Sequence, residues 1–165
     1  MWPIVFRRES RAGGRVYYEE KEAMQIRDIM RKDVVTVTAQ DSVAKAAKQM
    51  QQANVGCIVV TNSGSVRGIL TDRDIAVSCL GEGHNALQCQ VGNHMSNPVI
   101  TATPTMDVLE ATHIMVERKV KRLPVVEGNQ LVGLVSFSDV AQAMERPMHD
   151  LLLGMGAARR TAARA

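Results

Sequence analysis

The sequence predicts an α+β fold, two tandem β-α-β-β-α repeats packed as one pseudo-symmetric module, and three observations carry that expectation. Sliding the 165-residue chain against itself by 65 positions aligns Ile26 through Ala76 with Val91 through Ala141 without a gap. Identities kept in that register include Met30 with Met95, Thr36 with Thr101, Val43 with Val108, Met50 with Met115, Val60 with Val125, Gly68 with Gly133 and Asp74 with Asp139. Each copy also repeats one order of strand and helix signals. The third observation is composition, since 45% hydrophobic and 22% charged residues supply a core for one ordinary domain or two small ones. A 65-residue period exceeds the roughly 20 to 50 residues of stacking repeats, so each copy reads as a small domain. One half is too small to be comfortable alone, and the two are expected to share a core.

Each copy opens on a short extended segment rich in β-branched residues, Val34 to Thr38 and Val99 to Thr103. A helix follows, because Val43, Ala46, Ala47 and Met50 fall at i, i+3, i+4 and i+7, and Val108, Ala111, Thr112 and Met115 repeat that stripe. Methionine at this spacing reads as core filling. Two apolar runs come next, Cys57 to Val60 with Val66 to Leu70, then Leu123 to Val126 with Leu131 to Val135 in the second copy. Asn62-Ser63-Gly64 and Glu127-Gly128-Asn129 supply the turns between them. A second helix is expected after Thr71 and after Ser136.

Outside the repeats the composition changes. Trp2, Phe6, Tyr17 and Tyr18 all precede residue 24, and Phe137 alone follows it. Residues 1–23 therefore read as an N-terminal arm or extension. Lys21-Glu22-Ala23 can be encoded by codons resembling a bacterial ribosome-binding site, so Met24 is the expected start of the native chain. Residues 146–165 read as a tail in which Leu151-Leu152-Leu153 forms a short docking helix and the residues after Gly156 fray.

Charge excludes several function classes. Net charge is +3, but residues 24–145 hold 11 cations against 12 anions. A duplex-binding domain needs a basic face to release counterions, and base stacking needs aromatic platforms, so no nucleic-acid partner is expected. No run of about 18 apolar residues exists and the N-terminus lacks a signal-peptide core, so no membrane partner is expected either. Three cysteines make no disulfide framework, and the default compartment is the cytosol. Nucleophile-elbow, zinc-protease and P-loop motifs are absent from the sequence, so the protein is not read as an enzyme.

The repeated Gly-x-x-Thr/Ser-x-x-Asp segment carries the most chemistry. Thr71 and Ser136 stand where a strand turns into a helix, beside unpaired amides that favour phosphate or another anion. Asp74 and Asp139 follow one turn later, and a carboxylate offers acceptors to the 2′,3′-diol of a ribose. The same spacing also makes a capping box, in which the acid returns to the amide of the cap residue. Both readings stand at this point.

These residues resemble the cystathionine-β-synthase (CBS) domain pair, or Bateman module, over about residues 24–145. The resemblance rests on Ile26-Arg27-Asp28-Ile29-Met30, Asn54-Val55-Gly56-Cys57-Ile58-Val59-Val60 and Gly68-Ile69-Leu70-Thr71-Asp72-Arg73-Asp74. In the second half it rests on Lys121-Arg122-Leu123-Pro124-Val125-Val126 and Gly133-Leu134-Val135-Ser136-Phe137-Ser138-Asp139. The whole is most similar to bacterial stand-alone pairs, with a first CBS domain over 24–82 and a second over 83–145. The resemblance implies adenosine-ligand sensing, with AMP, ADP, ATP or S-adenosylmethionine in the cleft between the domains and no other cofactor. It also implies a homodimer shaped as a flat disc, and a signal passed to an unknown effector protein.

By family position, the ligand set is Thr36, Val37, Thr71, Arg73, Asp74, Lys121 and Arg122. Thr36 and Val37 would border the adenine, although plain strand core explains them equally well. Lys121 and Arg122 would serve the phosphate of a ligand whose ribose lies on Asp74, and Arg73 is a weaker phosphate candidate. A second, weaker site comprises Thr101, Ser136 and Asp139, because the matching positions Gly56 and Cys57 offer it no charge. Arg118 and Lys119 read as a solvated helix end.

Cys79, His84, Cys89 and His94 recur every five residues in the connection between the copies. All are zinc-binding types, yet that spacing fits neither the close cysteine pairs of zinc ribbons nor ligands one helical turn apart, so no metal site is assigned. A metal-sensing or redox-sensing protein built on these four, and a module whose only function is dimerisation or interaction, are the alternatives to a ligand sensor.

Overall fold

The structure is a computed structural model that describes residues 23–145. The expectations for the N-terminal arm and the C-terminal tail fall on residues 1–22 and 146–165, outside the described residues. The element order is α1 (Ile26–Ile29), β1 (Thr36–Val37), α2 (Val43–Ala53), β2 (Cys57–Asn62), β3 (Ser65–Thr71), α3 (Asp72–Asp74), α4 (Val108–Glu117), β4 (Arg122–Glu127) and β5 (Gln130–Ser136). A π-helical turn, Ile75–Leu80, continues α3, a 3₁₀ turn spans Val91–Asn93, and residues 137–145 form the last helix, α5.

The α+β reading of the sequence holds, and the register of the repeat is visible in the hydrogen bonding. In the first sheet β1 runs parallel to β2, which pairs antiparallel with β3. Cys57 faces Thr71 there, and Arg122 faces Ser136 in the β4–β5 pair, positions that match at the 65-residue offset. Both hairpins bulge at the same place, after Val60 and after Val125. The expected strand over Val99–Thr103 shrinks to a single parallel bridge, Ala102 to Val125, the counterpart of Val37 to Val60 in β1 and β2. Alanine at 102 brings less β-branched bulk than valine at 37, and the β conformation is correspondingly less favoured there.

Local signals act as the sequence suggests. Ser42 caps α2 and Asp107 caps α4 through their side-chain oxygens. The stripes of α2 and α4 bury Val43, Ala46 and Met50 on one side and Val108, Ala111 and Met115 on the other. Ser63 and Gly64 both take positive φ in the first hairpin turn, the backbone twist that tight hairpins favour.

The two halves exchange their opening segments. Ile26 is fully buried, but in the core made by Ala102, Val108, Met115, Leu123 and Val135 of the second repeat. Val91, its counterpart, is buried in the first core, beside Val37, Val43, Ile58 and Leu70. Backbone bonds fix each segment in place. Arg31 and Leu134 exchange bonds of 2.9 Å, and Ile69 and Ser96 pair in the same way. This exchange explains the glycines at 68 and 133. A Cβ on Gly68 would overlap the Met95 side chain, and one on Gly133 would stand 2.6 Å from Met30 Sδ. Each glycine admits the methionine of the other repeat's opening segment.

Candidate functional site

The capping box of the sequence is present in both repeats. Thr71 N–H and Oγ1–H donate to Asp74 Oδ2 at 2.9 and 2.7 Å, and Asp74 N–H returns a bond to Thr71 Oγ1 at 3.2 Å. Ser136 N–H and its hydroxyl likewise reach Asp139 Oδ2, and Asp139 N–H returns to Ser136 Oγ at 3.3 Å. The box occupies one carboxylate oxygen and leaves the other. Capping and ligand binding are therefore compatible, because they use different atoms of the same aspartate.

The second oxygen distinguishes the repeats. Asp139 Oδ1 accepts from Arg31 Nε at 3.2 Å. The counterpart of Arg31 in the other opening segment is Ser96. Asp74 Oδ1 has no hydrogen-bond donor among the described residues, and Asp74 is only partly buried. The first aspartate keeps acceptor capacity that the second has given to an arginine.

Arg122 stands close to the first site. Its Nη2 lies 3.5 Å from the point where a Cβ on Gly56 would sit, and Asp72 Oδ2 lies 2.9 Å from that point. Gly56 thus lets the Asp72 carboxylate and a guanidinium from β4 pack closely over its bare backbone. Burial pushes the Cys57 thiol above its ordinary value, with Arg122 pulling it down and Asp72 pushing it further up. Lys121 is exposed, and its carbonyl accepts from Phe137 N–H at 2.9 Å. The corresponding bond in the first repeat runs from Asp72 N–H to the Gly56 carbonyl at 3.2 Å.

The remaining expected residues are placed less uniformly. Thr36 is exposed and level with Val59, two residues along β2 from the Cys57–Thr71 pair, about 7 Å at the ordinary strand rise. Val37 points the opposite way into the first core, which leaves its backbone alone for any ligand. Arg73 is exposed, and its backbone N–H donates to Asp72 Oδ1 at 2.8 Å. Thr101 is half-buried beside Ala102. Arg118 and Lys119 are exposed at the end of α4, as a solvated helix end requires. A surface cavity of about 350 Å³ opens elsewhere, at the hairpin end of the first sheet, between Thr61, Asn62, Arg67, Met95 and Asn97. None of the expected ligand residues lines it.

Sequence reasoning missed two members of this region. Arg31 lies 108 residues from Asp139, and no local pattern links them. Asp72 was visible only as a member of the motif, although its carboxylate packs against Gly56. The Cys and His series behaves differently from its spacing. Ligand atoms of Cys79, Cys89 and His94 lie within 4.8 Å of one another, and the His84 ring lies 5.6 Å from that of His94. Burial pushes the Cys79 thiol up, and the adjacent Cys89 adds to this.

Comparison with known proteins matches the CBS domain over residues 26–80 and again over 91–146. The chain is 37% identical over 116 residues to the CBS domain-containing protein YhcV of Bacillus subtilis, covering 70% of this chain and 82% of that one. It is similar in structure to a putative signal-transduction protein with CBS domains from Burkholderia ambifaria, with TM-score 0.70, 26% identity and coverage of 74% and 95% of the two chains. The CBS domain pair of protein MJ0100, solved in complex with 5′-methylthioadenosine and S-adenosyl-L-methionine, is 25% identical with TM-score 0.68, covering 74% of this chain and 96% of that one. Among the described residues no helix is long and apolar enough to cross a membrane.

Proposed function

We propose that this chain, which belongs to the CBS domain family and is a tandem pair of such domains, is a regulatory module that binds an adenosine nucleotide at the Thr71–Asp74 turn. The observation that carries the reading is the inequality of the two aspartates. Asp74 has an oxygen to offer a ribose hydroxyl, whereas Asp139 must first release Arg31. Arg122, whose guanidinium lies beside Gly56, supplies the cation that a phosphate needs. The helix-start amides that the sequence leaves unpaired are spent on the Gly56 carbonyl, Asp72 Oδ1 and Thr71 Oγ1, so the attraction for an anion rests on the cations. Thr36, the Val37 backbone, Arg73 and Lys121 complete the proposed set, with Thr101, Ser136 and Asp139 as the weaker second site.

The adenosine compounds named with the MJ0100 pair support the ligand class. AMP, ADP and ATP are proposed ahead of S-adenosylmethionine here, because Arg122 and Lys121 favour a phosphate over a sulfonium. No catalytic role is proposed. The output is a change in self-association, as a homodimer, or in affinity for an effector protein, and it depends on the ligand binding two conformations unequally. Exposed Val77, Leu80, Val116 and Phe137 offer apolar surface to either partner. Thermal unfolding with AMP, ADP, ATP and S-adenosylmethionine in turn tests the reading, since a ligand at about 100 times its dissociation constant adds about 2.7 kcal/mol. No shift with any of them would leave the interaction module in its place.

A further inference from the structure

Cys79, Cys89 and His94 lie on three different pieces of the fold. Cys79 is fully buried in the π-helical turn that ends the first repeat's helix. Cys89 is half-buried in the connection, and His94 follows the 3₁₀ turn of the second repeat's opening segment. Five-residue spacing hides their convergence, because the chain reverses between them. His84 N–H donates to the Cys79 carbonyl at 3.0 Å, Cys89 N–H to Asn85 and His94 N–H to Val91. Two sulfurs and one imidazole nitrogen end within 4.8 Å of one another.

The surroundings suit a ligand histidine. Ser78 Oγ–H donates to the Asp74 carbonyl at 2.6 Å, so the hydroxyl has spent its one proton there. At 3.4 Å from His94 Nδ1 it is placed to accept, a contact that favours the tautomer with the proton on Nδ1 and the lone pair on Nε2. That is the outer-shell arrangement that orients metal-binding imidazoles.

We infer that Cys79, Cys89 and His94 form a binding site for a thiolate-seeking divalent cation of the zinc type, with the fourth tetrahedral position toward exposed His84. Two sulfurs and a nitrogen select such a cation over magnesium or calcium, which take oxygen ligands. Tetrahedral zinc with bonds of about 2.3 Å to sulfur sets its sulfur atoms about 3.8 Å apart. Ligand atoms that already lie within 4.8 Å of one another need only a small adjustment, which the largely exposed connection over residues 81–90 can supply. The cation would tie the first repeat's helix to the segment that brings Met95 onto Gly68, and so would clamp the exchange of opening segments.

Cobalt titration of the reduced full chain tests this, with absorption as the readout. One equivalent per chain is expected, with a thiolate-to-cobalt charge-transfer band and the visible bands of a tetrahedral site. Cys89→Ser and His94→Gln should each weaken binding by more than the roughly 10-fold to 100-fold that loss of an outer-shell partner costs. Cys57→Ser, which alters the cysteine outside the cluster, should retain the full equivalent. The inference is overturned if the reduced wild type gives no thiolate band, or if binding is unchanged in both Cys89→Ser and His94→Gln. A Cys79–Cys89 disulfide whose reduction restores no cobalt uptake would overturn it as well.

Discussion

Arg31 Nε lies 3.2 Å from Asp139 Oδ1, a pair that joins the opening segment of the first repeat to the helix start of the second. The pseudo-symmetric position to Arg31 is Ser96, and among the described residues Asp74 has no such partner. The arginine side chain is 68% exposed, so its pairing adds little to stability. Its consequence is for ligand access. The repeat is symmetric in backbone register and asymmetric in the charge around its two aspartates.

Removing that arginine should make the second site more available. Arg31→Ala is expected to leave stability within about 1 kcal/mol of wild type. It should raise adenosine uptake at the Asp139 site, seen as an added binding event in equilibrium dialysis. Unchanged stoichiometry and affinity would mean that Arg31 does not guard Asp139.

Arg122 separates phosphate from nucleoside. Arg122→Ala should weaken AMP binding by roughly 10-fold or more, since a hydrogen bond to a charged group is typically worth about 1.5 to 3 kcal/mol. Adenosine binding should change little. Equal losses for AMP and adenosine would place Arg122 away from the phosphate.

The glycines should respond to a paired change. Gly68→Ala forces its methyl group against Met95, and overpacking of this kind costs about 1 to 3 kcal/mol. Met95→Ala in the same chain should recover part of that loss in denaturant unfolding. Additive losses in the double variant would show that the two side chains do not meet.

Cys57 gives stability a dependence on alkaline pH. Its thiol is raised in the folded chain above the ordinary 9.0, so the unfolded chain loses the proton first. The contribution is present below pH 9.0 and is lost as pH rises through the folded value. Urea unfolding of wild type and Cys57→Ala should show the wild-type advantage shrinking above pH 9.0. Arg122→Ala removes a cation that lowers this thiol, and so should leave the onset at pH 9.0 while deepening the loss and extending it to higher pH.

Most of the fold was legible because periodicity and duplication are local or in register. The stripes at Val43 to Met50 and Val108 to Met115, the turn residues and the motif ending in Asp74 and Asp139 all led to the elements now seen. The exchange of opening segments was not legible, since Ile26–Ile29 makes a single turn, too short to show which face is buried or against what. The role of Gly68 as a seat for Met95 was hidden for the same reason. The capping-box and ribose readings looked like alternatives because a one-letter pattern does not distinguish the two oxygens of Asp74. Spacing likewise argued against Cys79, Cys89 and His94 meeting, because it assumes a straight helix or ribbon where the chain turns back.

Titration calorimetry with AMP on wild type, Asp74→Ala and Asp139→Ala shows which aspartate holds the nucleotide. Both variants lose a capping box, which costs about 0.5 to 2 kcal/mol of stability in each, so a general loss of folding would affect them alike. Wild type should bind AMP, Asp139→Ala should retain most of that affinity, and Asp74→Ala should lose it by roughly 10-fold or more. A larger loss in Asp139→Ala than in Asp74→Ala, or no AMP binding by wild type, would mean that the Thr71–Asp74 turn is not the nucleotide site.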